Sequence, residues 1–282
     1  MTQQAELTVA IVSYNSYSVI TACLDELIKS GGFHVIIVDN ASTDGSGDKL
    51  KQTYPDVQVI QEPVNLGYGR AANVAIKKCI TPYFFLVNPD LKADVESTGK
   101  LLATIRSSAP STALVAPATT RKKHTKTGLV EKQWVIGAAM MFSMEHLRTV
   151  GLFDEQIFLF SEESDLCKRI IQEGYKIYLD TDIYIEHLYR QSSTPSPETQ
   201  ALKDWHKAWS KLYLHHKHQN ISGKHRPSRV ALGYAIKWML ATQPEKRLRY
   251  KYRFQGSLAF LQGKPAILES GAPFHPLKPK QH

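Results

Sequence analysis

Cysteine is scarce in this chain: there are three, Cys23, Cys79 and Cys167, scattered and without a CxxC pair. An odd, dispersed set excludes a disulfide framework and a cysteine zinc site, and it fits a reducing compartment. Long apolar runs are missing too. The nearest, Val230 to Ala241, carries Lys237 and falls short of the ~18–20 residues that span a bilayer. The chain therefore reads as soluble or peripheral rather than integral. The opening MTQQAELTVAIVSYN has no basic n-region and no small-residue cleavage site, so no secretion signal is expected. No G-x-G-x-x-G follows the first apolar run, where SYNSYS stands, and this argues against a dinucleotide-dependent oxidoreductase. Internal repeats and low-complexity segments are absent. Acidic residues run short only at one end: residues 201–282 hold 3 against 16 Lys/Arg, whereas residues 1–200 hold 23 against 19. A mildly acidic body with a strongly basic end suggests two jobs.

What is present is ordinary globular material, 43% hydrophobic and 10% aromatic, which argues against wholesale disorder. LTVAIVSYN (7–15), FHVIIVDN (33–40), VQVIQEP (57–63) and TPYFFLVNPD (81–90) read as strands. Between them lie SVITACLDELIKS (18–30), a short helix after ASTDGSGD, and a helix opened by NLGYGRAANVAIKKC. This βαβαβαβ order with near-continuous apolar strands predicts an α/β fold with a parallel sheet covered on both faces. Ligands of such sheets sit beyond the carboxyl ends of the strands, where SYN, DNASTDGS and NPD all fall. Further on, the pattern predicts a helix over 94–106 and strands at 113–117 and 134–143. A basic glycine-ended loop is expected at 121–128, a helix starting around Ser164–Asp165, and a last strand-like run over 183–192. TPSPETQ (194–200) reads as a linker, residues 201–262 as mainly helical, and GAPFHPLKPKQH as a frayed end.

Seven blocks, TVAIVSYN, VDNASTDGS, NLGYGRAAN, FFLVNPD, WVIGAAMMF, FLFSEESDLCKR and IYIEH, resemble in order the family-2 glycosyltransferases of the GT-A fold, especially bacterial rhamnosyltransferase-like members. The resemblance covers about residues 7–190. It implies a GT-A nucleotide-sugar-binding catalytic domain over 1–198, with a mainly parallel sheet, followed by a basic, mainly helical region over 199–282. It also implies an inverting transfer of a sugar from a nucleotide diphosphate to an acceptor hydroxyl, assisted by Mg²⁺ or Mn²⁺.

The residue roles follow from the same resemblance. Asp90 stands at the last position of the family's D-x-D and is expected to hold the metal, with Asn88 in place of the first acid. One fixed charge instead of two should weaken metal binding before the nucleotide arrives. NPD taken alone reads more readily as a strand-ending turn, since Asn, Pro and Asp favour turns. His187 matches a further metal ligand of some members, against a purely structural histidine. Asp39 is expected to accept the ring N–H of uracil or thymine, against a role capping its loop, with Ser13 and Asn15 lining the same pocket; Asp44 to Ser46 looks more like turn chemistry. Asn65 and Gly67 belong to the block closing over the base, Gly67 also suiting a special backbone angle. Arg70 is expected at the phosphates or in solvent on its helix, with Asn73 following. Trp134 and Gly137 match the loop lining donor sugar and acceptor, against Trp134 as ordinary core. In SEESDL, Glu163 is the expected catalytic base and Glu162 the runner-up; Asp165 is either a donor-site residue or a helix cap.

Residues 201–262 mix basic side chains with Trp205, Trp209, Tyr213, Tyr234, Trp238, Tyr250, Tyr252 and Phe254. Two readings stand side by side: a segment lying on an anionic membrane, and a solvated helical subdomain packed on the catalytic body, including at a homodimer interface. The expected partners are a dTDP- or UDP-linked sugar donor, with dTDP-rhamnose first, and a glycan or polyprenyl-linked acceptor of cell-surface polysaccharide synthesis. The expected location is the cytoplasm, at the inner face of the bacterial membrane if the tail lies on it. A non-catalytic nucleotide-binding protein and a nucleic-acid-binding protein are the rivals. The second is disfavoured because the first 190 residues account for a different ligand.

Overall fold

The structure, a computed structural model, describes residues 5–120, 127–188, 196–220 and 222–278. The elements run β1 (Leu7–Ser13), α1 (Tyr17–Lys29), β2 (His34–Asp39), α2 (Ser46–Thr53), β3 (Gln58–Gln61), α3 (Tyr68–Lys78), β4 (Tyr83–Val87), β5 (Leu91–Lys92) and α4 (Val95–Ser107). There follow β6 (Thr112–Ala118), β7 (Leu129–Lys132), β8 (Ala139–Ser143), α5 (Met144–Val150), α6 (Glu162–Gln172), β9 (Lys176–Tyr184) and β10 (Glu186–His187). The last helices are α7 (Pro197–Lys217), α8 (Pro227–Leu240) and α9 (Pro244–Leu261). The chain divides into two compact units. The first comprises residues 1–65, 71–153 and 163–193; the second comprises 66–70, 154–162 and 194–282.

The first unit is built on an eight-stranded sheet of order β3-β2-β1-β4-β8-β6-β9-β7. β1 pairs in parallel with both β2 and β4, with Ser13 opposite Asp39 and Ile11 opposite Val87. The apolar runs are buried on both faces: all seven residues of β1 are buried, as are Val35–Asp39 and Phe84–Val87. Leu7, Val9 and Ile11 join Leu24, Leu27, Phe85 and Met141 in one core cluster. β8 runs antiparallel between β4 and β6, so its amino end lies beside the carboxyl end of β4. It is shorter than the apolar run 134–143 suggested, because residues up to Ala138 form a loop instead.

In the second unit α7 and α9 enclose Trp205, Trp209, Tyr252, Ala259 and Ala266. The stretch read as a linker is in part a helix start. Ser196 Oγ accepts from the Thr199 N–H at 3.0 Å and Pro197 takes the first helical position, an arrangement that starts helices. The expectation of a frayed GAPFHP is also corrected. His206 Nε2 lies 2.9 Å from the Phe274 carbonyl oxygen, the Phe274 ring packs on Trp205 at 4.7 Å, and Ile267 bridges Pro273. Most of the basic loop 121–128, the end of the run 183–192 and the first residues of TPSPETQ lie outside the described residues.

The α7–α9 crossing depends on a missing side chain. A Cβ on Gly256 would sit 2.2 Å from the Trp205 carbonyl oxygen, whereas one on Gly233 of α8 would meet nothing within 4 Å. Gly256→Ala is therefore expected to cost about 1–3 kcal/mol by overpacking. Gly233→Ala should be neutral or stabilise by up to about 1 kcal/mol through helix propensity. Thermal unfolding of the two variants checks this contrast.

Candidate active site

Parallel pairing brings the carboxyl ends of β2, β1 and β4 to one edge of the first unit's sheet. The strand order reverses direction there, between β1 and β4, which is where ligands of open α/β sheets bind. Ser13 ends β1 fully buried, and its hydroxyl has no hydrogen-bond partner among the described residues. Asn15 follows with a left-handed backbone (φ 54°) and ties two loops together. Its N–H donates to Ser42 Oγ at 2.8 Å, and its Oδ1 accepts from the Thr43 N–H at 2.8 Å.

Asp39 closes β2 and is 3% exposed. Burial pushes its carboxyl above the ordinary range, although Ser42 Oγ donates to it and pulls the other way. Next to it, a Cβ on Gly47 would fall 2.5 Å from Asp39 Oδ2 and 2.3 Å from Gln61 Nε2. Gly47 and Gln61 thus shape the surroundings of Asp39, and composition alone gave no hint of them. Asp44 does the turn work expected of it, accepting from the Ser46 N–H at 2.9 Å. Asn65 Oδ1 accepts from Asn40 Nδ2 at 3.1 Å, which links the end of β2 to the turn before α3.

β4 delivers Asn88 and Asp90 to the same edge. The Asn88 N–H donates to the Ala138 carbonyl at 2.8 Å, while its side-chain Oδ1 is buried with no partner among the described residues. Asp90 is 1% exposed. β5, immediately after it, pairs antiparallel with β10, setting Leu91 opposite His187. That two-residue ladder brings His187 Nε2 to 3.3 Å from Asp90 Oδ1. Two ligands in adjacent positions on an octahedral ion of Mg²⁺ size are about 3 Å apart, so this pair fits one divalent cation. Among the described residues no third His, Cys, Asp or Glu joins them. The remaining positions of such an ion would fall to water and phosphate oxygens.

The loop before β8 completes this edge. Trp134 is 47% exposed, so it is not core, and its indole lies close enough to the Glu163 carboxylate to favour the charged form. A Cβ on Gly137 would press on Glu163 Cβ at 3.2 Å, so the glycine leaves room for the acid. Glu163 lies in the first turn of α6, where Ser164 Oγ donates to it at 3.3 Å. Burial nevertheless raises its pKa, outweighing the hydrogen bonds. α6 begins at Glu162, ahead of the expected Ser164–Asp165, so Asp165 is not a helix cap.

Two candidates are corrected. Asp165 is 0% exposed and receives Arg169 Nε at 2.9 Å; the same guanidinium binds the carbonyls of Val150, Gly151 and Leu152. Its carboxylate holds Arg169 and, through it, that loop. Arg169 escaped the sequence reading, although its i,i+4 spacing from Asp165 was a usable signal. Asn73, 1% exposed, exchanges hydrogen bonds with both backbone polar groups of Phe153, at 2.9 and 3.0 Å, and is likewise a structural side chain.

Three candidates belong to the second unit. Gly67 has φ +80°, and a Cβ there would collide with the Phe158 carbonyl oxygen at 1.9 Å, so glycine is required twice over. Arg70 Nη1 donates to the Gly271 carbonyl at 2.8 Å, anchoring a side chain expected in solvent or at phosphates. Glu162 is 6% exposed and follows Phe160 and Ser161, both in left-handed backbone at φ 66° and 73°. Consecutive strained non-glycine residues are a recurrent feature of functional sites, and no residue pattern around FLFSEE signals them.

A sequence model of the family described as "Glycosyl transferase family 2" matches residues 8–163, more than half of the chain. The chain belongs to that family. Among its relatives, the N-acetylglucosaminyl-diphospho-decaprenol L-rhamnosyltransferase of Mycobacterium tuberculosis is 24% identical over 202 residues, 54% of this chain and 66% of the relative. The teichoic acid poly(glycerol phosphate) polymerase of Staphylococcus epidermidis is 31% identical over 91 residues, 30% of this chain and 13% of the relative. The chain thus matches less than two thirds of the length of each. Among solved structures, the mannosyltransferase PcManGT of Pyrobaculum calidifontis, in complex with GDP-Man and Mn²⁺, aligns over 93% of this chain and 89% of its own at TM-score 0.61 and 15% identity. S. aureus TarS with UDP-GlcNAc aligns over 97% and 98% at TM-score 0.54 and 17% identity. These likenesses show the fold, which is GT-A.

The raised Glu163 pKa has a stability consequence. Folding favours its protonated form, so its contribution is full below the unfolded value of about 4.3 and is lost as pH rises through the higher folded value. Glu163→Gln cannot ionise. Its melting temperature relative to the parent chain should therefore climb between acidic and neutral pH, as read by thermal melts across that range.

Proposed function

We propose that the chain is an inverting glycosyltransferase that moves a sugar from a nucleotide-diphospho-sugar to an acceptor hydroxyl. The observation that carries this reading is the gathering of Asp39, the Asp90–His187 pair and the Trp134–Glu163 contact on the carboxyl edge of one sheet, in a chain of this family. Asp39, at the end of β2, reads the pyrimidine ring N–H, an interaction open to uracil and thymine alike. Asp90 and His187 would hold a divalent cation, which when bound supplies Lewis-acid stabilisation of the leaving diphosphate.

Glu163 is the proposed base. As the acceptor oxygen bonds to the anomeric carbon, the bond from that carbon to the phosphate oxygen breaks and its electron pair leaves with the nucleotide. The acceptor's proton passes to the Glu163 carboxylate. A carboxylate with a raised pKa, beside Trp134 and at the start of α6, suits that transfer. Gly137 keeps the space beside it open. Glu162, adjacent and buried, is the alternative base.

The first-choice donor is dTDP-rhamnose and the first-choice acceptor a polyprenyl-linked glycan, in line with the rhamnosyltransferase relative. A UDP-hexose is the second reading, favoured by the TarS complex with UDP-GlcNAc. A thermal-shift panel of dTDP-, UDP- and GDP-sugars, with and without Mn²⁺, tests the donor site. Stabilisation by one nucleotide class is expected, and none by any would overturn the reading. Glu163→Gln should lower turnover by about 10²–10⁴-fold while leaving nucleotide-dependent stabilisation intact; unchanged turnover moves the role to Glu162. Asp90→Ala should remove the Mn²⁺-dependent part of the donor's thermal shift. Asn88→Asp should strengthen Mn²⁺ binding without nucleotide, measured by metal titration.

A further inference from the structure

Sequence composition left open whether the aromatics of the basic region lie on a membrane or pack within a helical subdomain. In the structure Trp205, Trp209 and Tyr252 are core, and the half-buried Trp238 stacks on Phe254 across the α8–α9 contact with ring centroids 6.0 Å apart. The large apolar side chains that α8 exposes are aliphatic. Leu232, Ile236, Met239 and Leu240 are 59%, 42%, 69% and 75% exposed. Their spacing of i, i+4, i+7 and i+8 sets them in one stripe, on the face turned away from Ala231 and Trp238 and hence from α9. A continuous exposed apolar stripe is a marked surface, unlike single scattered leucines.

Charge borders the stripe. Arg226 just before α8, Arg229 and Lys237 within it, and Lys246 and Arg247 at the start of α9 are all exposed. Residues 226–262 contain eight Lys/Arg and a single acid, Glu245. Where α8 turns into α9, Trp238, Pro244 and Leu248 line a shallow groove together with Arg247 and Lys251. Apolar floor and cationic rim therefore occur together twice, along the helix and at the turn.

We propose that the α8–α9 hairpin is a docking surface for an anionic phospholipid bilayer, with the α8 stripe entering the headgroup–acyl boundary and the flanking Arg/Lys pairing with lipid phosphates. No described helix is long and apolar enough to cross a membrane, so the contact is one of lying on the surface. Two other occupants fit less well. A second copy would bring like charges together across a symmetric contact. Nucleic acid would use the cations but leave the aliphatic stripe in water. An anionic bilayer uses both.

The test uses the full chain without donor or acceptor, sedimented with vesicles of phosphatidylglycerol and phosphatidylethanolamine or of phosphatidylcholine alone. Binding is expected to the anionic vesicles and to weaken as salt rises. Leu232→Ser with Met239→Ser should lower that affinity by about tenfold. Arg229→Gln and Lys237→Gln should each lower it by about fivefold. Both stripe residues are exposed, so the melting temperature and the donor's thermal shift should stay unchanged, which separates this surface from the donor-site reading. Absence of vesicle binding, or binding indifferent to the stripe substitutions, overturns the proposal. So does a lipid-free dimer, measured by light scattering, that the same substitutions convert to monomer.

Discussion

Most of what can be said about this protein's chemistry depends on β1 pairing in parallel with two neighbours at once. With β2 on one side and β4 on the other, Ser13, Asp39 and the Asn88–Asp90 turn emerge at a single edge. β8, running the opposite way beside β4, feeds the Trp134–Gly137 loop to that same edge, and Glu163 packs against it. The strands hold this arrangement because they are apolar on both faces and buried on both. A one-residue slip in a one-sided sheet turns its hydrophobic set to water. Here both faces are covered, and the register is fixed by backbone bonds and side-chain packing together.

Buried polar groups of this unit divide into two kinds. Asp165, Arg169 and Asn73 are satisfied inside the fold, holding the backbone of residues 150–153 in place. Ser13 Oγ and Asn88 Oδ1, by contrast, are buried without a partner among the described residues. Burying such a group costs free energy unless something completes it. The contrast separates side chains whose polar atoms are claimed inside the fold from those left open at the proposed site, a distinction that residue type alone does not make.

How much of this was legible beforehand varies with the range of the interaction. The alternation of strands and helices, the NPD turn and the turn chemistry of Asp44 are local patterns, and they were readable. Helix α7 starts where Ser196 and Pro197 allow it, a capping signal present in the sequence but read as a linker. Asp165 and Asn73 hold the fold because Arg169 and the Phe153 backbone claim their polar atoms, which a motif position does not reveal. Gly47 and Gln61 were overlooked because their importance lies in their distance from Asp39, across a loop.

The sequence by itself determined the α/β class, the strands that would be buried and the family resemblance, since apolar period and residue order are properties of the chain alone. Only the tertiary structure decided that His187 meets Asp90 through a two-residue ladder nearly a hundred positions apart. It alone decided that Glu163 packs against Gly137, and that Trp205, Trp209 and Tyr252 go inward while α8's aliphatics face water. The reason is physical: burial, pKa and pairing depend on what packs against a residue, and that partner is supplied by distant parts of the chain.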